Sequence, residues 1–263
     1  MVLSLRILPR EQDSGWPVIK KVPVITGRNT VLEALKGERR VFRVFILKRY
    51  REKPQLKELV KLAENKGVPV EWVDEGSGRL EHLHFRQGIA AEVEEFSYTD
   101  FDNLIDDAIQ SSSSLLVIVD NLEDPQNLGN ILRTAEFFGA GGVIIRKKRS
   151  VQVTPVVERI SQGAAGYLKI ARVANLSQAI ERLKEANIFV AGLDASAPLV
   201  LKPDMLELKT AIVIGGEDKG LSRLVKEKCD ALFRLEGSGK VGSLNAASAF
   251  AAAAYCYILR KLS

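Results

Sequence analysis

Three short stretches of this chain combine polar side chains with glycine in patterns that could do chemistry. The first runs Asp120-Asn-Leu-Glu-Asp-Pro-Gln-Asn-Leu-Gly-Asn-Ile-Leu-Arg133. Asp124-Pro125 reads as an N-cap followed by proline at the first helical position. Ile131, Leu132, Ala135 and Phe138 then make a stripe to bury, while Asn130 and Arg133, three apart, share another face. A guanidinium there is either a plain surface charge or part of a ligand site, and its place beside a strand end favours the site. The second stretch is Gly215-Gly-Glu-Asp-Lys-Gly220, between an apolar run and a helical one. Glycines let backbone approach a ligand closely, and Glu217 can accept a hydrogen bond from a hydroxyl or amine. A tight turn carrying a solvated acid is the plainer alternative. The spacing of Gly215 and Gly220 is that of a phosphate-binding P-loop, but Leu221-Ser222 stands where Lys-Ser/Thr is required, so a P-loop is excluded.

The third stretch, Gly237-Ser-Gly-Lys-Val-Gly242, matches GxGxxG literally. Dinucleotide binding also needs a following strand and an acidic residue about 20 positions on. The chain ends 21 residues later in Arg260, Lys261, Leu262 and Ser263, so the match is a decoy. His82 and His84, the only histidines, make a poor zinc site without cysteine support. Ser243 has no histidine within the second half of the chain to serve it as a base.

All three stretches fall at the carboxyl ends of expected strands. Leu115–Val119 (LLVIV) is a continuous apolar run, typical of a parallel strand buried on both faces. Helix Pro125–Phe138, strand Val143–Ile145, helix Pro155–Gln162, strand Tyr167–Ala171 and helix Leu176–Ala186 follow. Strands Ile188–Gly192 and Ala211–Ile214, helix Leu221–Cys229, strand Ala231–Leu235 and helix Ala246–Arg260 complete the series. This is a parallel α/β domain, whose ligands bind at the carboxyl ends of the strands. Before it, strands Val41–Leu47, Val68–Val73 and Ile89–Val93, helix Pro54–Lys66 and a short helical segment at Leu80–Leu83 make a smaller α/β unit. The expected organisation is an N-terminal extension over 1–21, a small domain over 22–96, a linker over 97–114 and the large domain over 115–263. The linker holds a polar helix, Asp100–Gln110, and a serine joint, Ser111–Ser114.

The 263 residues are 46% hydrophobic and 27% charged, a balance that excludes disordered and fibrous classes. No apolar run is long enough to span a membrane, and no signal-peptide core occurs near the start. Two isolated cysteines, Cys229 and Cys256, suit a reducing cytoplasm rather than a disulfide framework. The net charge of +5 conceals a segregation: residues 1–66 carry 16 Lys+Arg against 7 Asp+Glu, and residues 67–110 carry 2 against 11. A segregated basic region is the footprint of a nucleic-acid binder, although a solvated basic surface gives the same pattern. The candidate RNA contacts are Arg28, Arg39, Arg40, Arg43, Lys48 and Arg49.

Taken together, the three stretches resemble the SpoU/TrmH (SPOUT) family of S-adenosylmethionine-dependent RNA ribose 2′-O-methyltransferases. Asn127-Leu-Gly-Asn-Ile-Leu-Arg133 looks like its first motif, Gly215-Gly-Glu-Asp-Lys-Gly-Leu221 its second, and Gly239-Lys-Val-Gly-Ser-Leu-Asn245 its third. Gln87-Gly88-Ile89 before the last strand of the small unit matches the ribosomal-protein-like RNA-binding domain fused to many members. Departures from the pattern are Glu236-Gly237 before the third motif, Ala246-Ala247 after it, and Gly216 and Asp218 within the second.

The resemblance implies a trefoil-knotted, parallel-sheet α/β catalytic domain that binds S-adenosylmethionine, works as a homodimer and uses neither a metal nor a membrane. It implies catalytic roles for Asn127, Arg133, Glu217, Ser243 and Asn245. The cofactor-binding candidates are Gly192, Gly215, Gly216, Gly220, Leu235 and Leu244. The subgroup it resembles most methylates a guanosine ribose of large-subunit (23S) rRNA. A tRNA ribose methyltransferase and a non-catalytic RNA-binding assembly factor are the alternatives. A guanidinium with a pKa above about 12 is a poor base, so Arg133 is expected to hold phosphate or stabilise alkoxide charge.

Overall fold

The structure, a computed structural model, describes residues 22–75, 85–217, 219–240 and 242–263. The expected segment Leu80–Leu83 and the pair His82 and His84 lie outside the described residues.

The small domain starts with strand β1 (Val24–Thr26) and helix α1 (Arg28–Lys36). Strand β2 (Val41–Leu47), helix α2 (Pro54–Asn65) and strands β3 (Val70–Val73) and β4 (Ile89–Val93) follow. The sheet order is β1-β4-β2-β3, with β2 and β3 parallel and β4 antiparallel to both its neighbours. Pro54 occupies the first turn of α2, where its missing N–H costs nothing, and Leu56, Leu59 and Ala63 bury one stripe. Gly88 has φ +76, and a Cβ there would fall 2.4 Å from the Tyr50 ring, so the turn into β4 requires glycine.

The large domain adds helix α3 (Phe101–Gln110), strand β5 (Ser114–Asp120), helix α4 (Pro125–Phe137), strand β6 (Gly142–Arg146), helix α5 (Pro155–Ile160) and strand β7 (Ile170–Val173). Then come helix α6 (Leu176–Glu185), strands β8 (Phe189–Leu193), β9 (Leu199–Val200) and β10 (Lys209–Gly215), helix α7 (Arg223–Lys228), strand β11 (Ala231–Arg234) and helix α8 (Ala246–Leu262). The seven strands are all parallel, in the order β7-β6-β5-β10-β8-β11-β9. β5 lies inside and shows the period of two that splits the core. Leu115, Val117 and Val119 face α4 and α8 in one layer, and Leu116 and Ile118 face α3 and α6 in the other. Among the described residues no helix is long and apolar enough to cross a membrane.

Two expectations need correction. The strand expected over Tyr167–Ala171 begins only at Ile170, because Gly163 (φ +90) opens a short 3₁₀ turn over Ala164–Tyr167. The stretch expected as a linker is built into the large domain. Thr99 pairs with Ala171, Asp100 caps α3 by accepting from Asp102 N (2.8 Å), and Leu104, Ile105 and Ala108 are buried beneath the sheet.

The two domains dock through α5 and the 3₁₀ turn on one side and β1 and α1 on the other. Asn29 Nδ2 donates to Gln162 Oε1 (3.3 Å), Tyr167 donates its hydroxyl to Glu33, and Arg39 forms a buried ion pair with Glu158.

Candidate active site

Asp124 caps α4 by accepting from Gln126 N (2.9 Å), and Pro125 takes the first turn, so Asn127 is held at the start of a rigid helix. Asn245 caps α8, its Oδ1 accepting from Ala247 N (2.9 Å) and Ser248 N (3.4 Å). Glu217 lies just beyond β10. These side chains meet. Asn127 Nδ2 donates to Glu217 Oε1 (3.2 Å), and Asn245 Nδ2 donates both to Asn127 Oδ1 (2.8 Å) and to Glu217 Oε1. One residue from each of the three sequence motifs thus joins a single triangle. Two amide donors fix one carboxylate oxygen, which leaves Oε2 as an acceptor for a hydroxyl.

The loop after β10 is bound down from below. Gly216 N donates to Asp120 O (3.0 Å), Gly220 N donates to Gly216 O (2.8 Å), and Ser222 N donates to Asp120 Oδ2 (2.7 Å). Asp120 is fully buried, and Arg146 Nη2 lies 2.8 Å from its Oδ1. A Cβ on Gly215 would fall 2.2 Å from the Gly220 carbonyl carbon, and one on Gly216 2.2 Å from Asn121 O. Both glycines are required by backbone packed against backbone. Asp120, which sequence reasoning used only as the start of a motif, is the anchor of this loop.

The other expected residues are placed as follows. Leu235 is half-buried after β11, and Ser243 and Leu244 are exposed just before α8. Gly192 lies inside β8, where a Cβ would meet Leu232 at 2.6 Å and Cys229 Sγ at 3.0 Å. Interior packing alone therefore requires glycine at this position. The loops after β10, β8 and β11 leave three adjacent strands at the same edge of the parallel sheet. At that edge the space beside Gly220 and Gly242 is unobstructed and Leu244 is exposed, a chemistry compatible with an adenosyl group whose cationic centre would lie near the Glu217 carboxylate. Among the described residues no group of three or more His, Cys, Asp or Glu side chains could hold a metal ion.

Arg133 is exposed and makes no hydrogen bond to the triangle. It lines a groove of about 740 Å³ between the domains, with Gln126 and Asn130 on its own helix face. Gly27, Asn29, Thr30, Arg86 and Gln87 form the opposite wall, and Arg159, Ile160 and Gln162 the floor.

The expected RNA contacts are largely spoken for. Arg39 is committed to Glu158 and donates from Nε to Glu94 O (2.7 Å), so it is a strut at the domain junction rather than an open phosphate contact. Arg43, Lys48 and Arg49 pair with Glu71 (2.5 Å), Asp74 (2.6 Å) and Glu75 (2.6 Å), because β2 runs parallel to β3. The basic and acidic segments segregated along the chain are thus folded against each other. Arg40 is exposed over the Phe42 ring, and Arg28 lies at the turn into α1, its backbone N–H donating to Gln87 Oε1 (2.9 Å). Arg86 and Arg159, which sequence reasoning did not select, face the groove.

The site defines a class: a parallel α/β domain with a glycine-walled cleft and a fixed carboxylate, joined to a smaller domain across a basic groove. Comparison with known proteins narrows it. The SpoU rRNA Methylase family matches residues 114–255, and the RNA 2′-O ribose methyltransferase substrate-binding family matches residues 24–99. A Bacillus subtilis protein named as a TrmH family tRNA/rRNA methyltransferase, YacO, is 38% identical over 226 residues, 86% of this chain and 90% of that protein. The SpoU methyltransferase AviRb from Streptomyces viridochromogenes, solved with AdoMet, superposes with a TM-score of 0.72 at 23% identity, over 91% of this chain and 90% of that one. An AdoMet-bound rRNA methyltransferase from Sinorhizobium meliloti gives 0.70 at 21% identity, over 91% and 88%. The chain belongs to the SpoU/TrmH family, as an RNA 2′-O ribose methyltransferase whose substrate-binding module precedes its catalytic module.

Proposed function

We propose that this protein transfers the methyl group of S-adenosylmethionine to a ribose 2′-hydroxyl of large-subunit ribosomal RNA, in the cytoplasm and without a metal. The observation that carries the chemistry is the Asn127–Glu217–Asn245 triangle at the carboxyl edge of the sheet. The cofactor, held by the loops after β8, β10 and β11, supplies an electrophilic sulfonium-bound methyl. Glu217 Oε2 accepts the hydrogen bond of the ribose hydroxyl, aligns its oxygen for in-line attack and takes its proton late in the reaction. Alignment of this kind is worth roughly 7–11 kcal/mol in favourable cases. Arg133, at the mouth of the groove, holds a phosphate of the target nucleotide and stabilises the charge growing on the 2′-oxygen. Ser243 and Leu244, exposed beside the triangle in sequence, complete the wall next to the nucleotide.

Ribosomal rather than transfer RNA is favoured by the description of the family that matches the catalytic module. The path of the chain as a trefoil knot is supported by the strand order, in which β10 inserts between β5 and the earlier β8. A homodimer is supported by apolar side chains left uncovered on α4 and α8, which pack together: Phe137 is 78% exposed, and Tyr255, Leu259 and Leu262 form one exposed stripe. Sedimentation equilibrium tests the dimer, and a monomer would remove it.

The test of function is calorimetry with S-adenosylmethionine in the presence of a chelator, followed by mapping of 2′-O-methyl groups on rRNA and tRNA from a strain lacking the gene. Binding with a missing rRNA methyl group is expected. A missing tRNA methyl group would move the substrate to tRNA, and absence of binding at millimolar cofactor would favour an RNA-binding assembly factor. Arg133→Ala is expected to lower single-turnover methyl transfer about a hundredfold or more at saturating cofactor and RNA. Arg133→Lys recovers little, since an ammonium lacks the planar fork. Near-normal turnover in a folded alanine variant would sink the assignment.

A further inference from the structure

We propose that the groove between the two domains is a reader of unpaired RNA, with Arg86 and Arg159 on phosphates and the side-chain amides of Gln87, Gln126, Asn130 and Gln162 on base edges. The inference rests on the RNA 2′-O-methyltransferase reading above and specifies which RNA structure that site takes.

The lining has a distinct chemistry. Three arginines, Arg86, Arg133 and Arg159, open into the groove, and among the described residues none of them forms an ion pair. Among the described residues no carboxylate and no aromatic ring lines it. Its other polar groups include five side-chain amides, from Asn29, Gln87, Gln126, Asn130 and Gln162. Arginine suits phosphate, and an amide, carrying both donor and acceptor, suits the edge of a base.

The two domains contribute alike. Gln87 on the small domain and Gln162 on the large one both have left-handed backbone, at φ +56 and +55. A side-chain-bearing residue adopts that conformation reluctantly. Each glutamine has its carbonyl oxygen occupied from the α1 turn. Arg28 N donates to Gln87 Oε1 at 2.9 Å, and Asn29 Nδ2 donates to Gln162 Oε1 at 3.3 Å. Among the described residues neither Nε2 has an acceptor, so each domain leaves one amide donor in the groove. Such donors fit the carbonyl and ring-nitrogen acceptors of bases.

Size and position decide between a strand and a duplex. A volume of about 740 Å³ is that of a small-ligand pocket, room for a very few nucleotides and none for a helix. Side chains cannot reach base edges in the narrow major groove of A-form RNA, and its shallow minor groove is read mostly by shape, so amide reading of base edges favours bases free of pairing. Gln126, Asn130 and Arg133, spaced at i, i+4 and i+7, carry the groove along the same helix that holds Asn127. A strand lying in the groove therefore leads to Glu217.

The test is fluorescence anisotropy of the full chain with a labelled single-stranded RNA oligonucleotide of mixed sequence and with the same strand annealed to its complement. The single strand should bind at least about tenfold more tightly. Arg86→Ala and Arg159→Ala should each reduce the slope of log affinity against log salt by about one. Gln162→Ala should erode the preference for the single strand and raise KM for RNA more than it lowers kcat, with S-adenosylmethionine affinity unchanged. Equal binding of strand and duplex would overturn the proposal. So would wild-type affinity and salt slope in both arginine variants when Arg40→Ala abolishes binding, since RNA would then lie on the outer face of the small domain. Groove-dependent strand binding without methylation of any cellular RNA would overturn the methyltransferase reading and leave the groove assignment standing.

Discussion

Asn245 has two duties that a single substitution separates. Its Oδ1 caps α8, and its Nδ2 donates to Asn127 and Glu217. Asn245→Asp keeps the cap, because aspartate is as good a capping residue, and its charge suits the helix N-terminus. It replaces the shared donor with a carboxylate beside that of Glu217. Two unit charges about 4 Å apart repel by about 4 kcal/mol at an effective dielectric constant of 20. Holding a proton on one of them at pH 7, from a reference pKa of about 4.3, costs about 3.7 kcal/mol. The two routes cost nearly the same, so the triangle is broken by splaying or by protonation, and Glu217 loses its orientation either way.

The expected outcome for Asn245→Asp is a fall of about a hundredfold or more in single-turnover methyl transfer at neutral pH, with α8 intact by circular dichroism. The pair's folded pKa is raised, so the destabilisation is present at high pH and is relieved as pH falls and a proton is taken up. Melting curves at descending pH should therefore bring the variant back toward the wild type. Asn245→Ser, which keeps a capping oxygen and adds no charge, should be folded at both pH extremes and impaired in turnover alone. A fast Asn245→Asp enzyme, or a stability deficit that does not vary with pH, would refute the reasoning that the amide positions Glu217.

Two further outcomes are expected of the scaffold. Arg39→Met leaves Glu158 buried without its cation, at a cost of about 3–5 kcal/mol measured by chemical denaturation. Burial already raises the Glu158 pKa against the pull of Arg39, so the variant should recover as pH falls, and Arg39→Met with Glu158→Leu should be more stable than the single variant. In the loop after β8, burial opposes ionisation of Asp194, but hydrogen bonds from Lys226 and Ser196 outweigh it and depress its pKa to about 2. Its contribution is present above the unfolded carboxylate pKa and is lost as pH falls through about 2, so Asp194→Asn should cost about 1–2 kcal/mol at neutral pH, after allowance for solvent screening at the rim, and little at a pH of about 2.

What could be read from the chain follows from where each signal is stored. β2 and β4 were legible to the residue, and β5 nearly so, because a strand inside a sheet must be apolar along its length or alternate with a period of two. The two-residue β9 has no room for a period, and β1 has three residues. α1 buries only Thr30, Val31 and Leu35, too narrow a stripe to stand out in its basic surroundings. Helix α3 looked like a linker because its exposed face is acidic, yet Leu104, Ile105 and Ala108 were enough to seat it under the large sheet. Charge misled most, since a segregation along the chain is cancelled when β3 and the residues after it lie beside β2.

The same distinction separates the catalytic triangle from the RNA groove. Asn127, Glu217 and Asn245 each sit where local structure demands a polar residue or a turn, at a helix start or a strand end, so each leaves a local mark in the sequence. Arg86, Gln87, Arg159 and Gln162 leave none. They come together only because β1 and α1 dock on α5, and the Arg39–Glu158 pair holds that junction. A side chain just after α5 acquires its meaning from a domain more than a hundred residues earlier, as the Asn29–Gln162 hydrogen bond shows. Chemistry carried within one domain is therefore written into motifs, whereas selection of the RNA is written into the packing of two domains. Variants at the junction should alter which RNA is methylated before they alter how methyl is transferred.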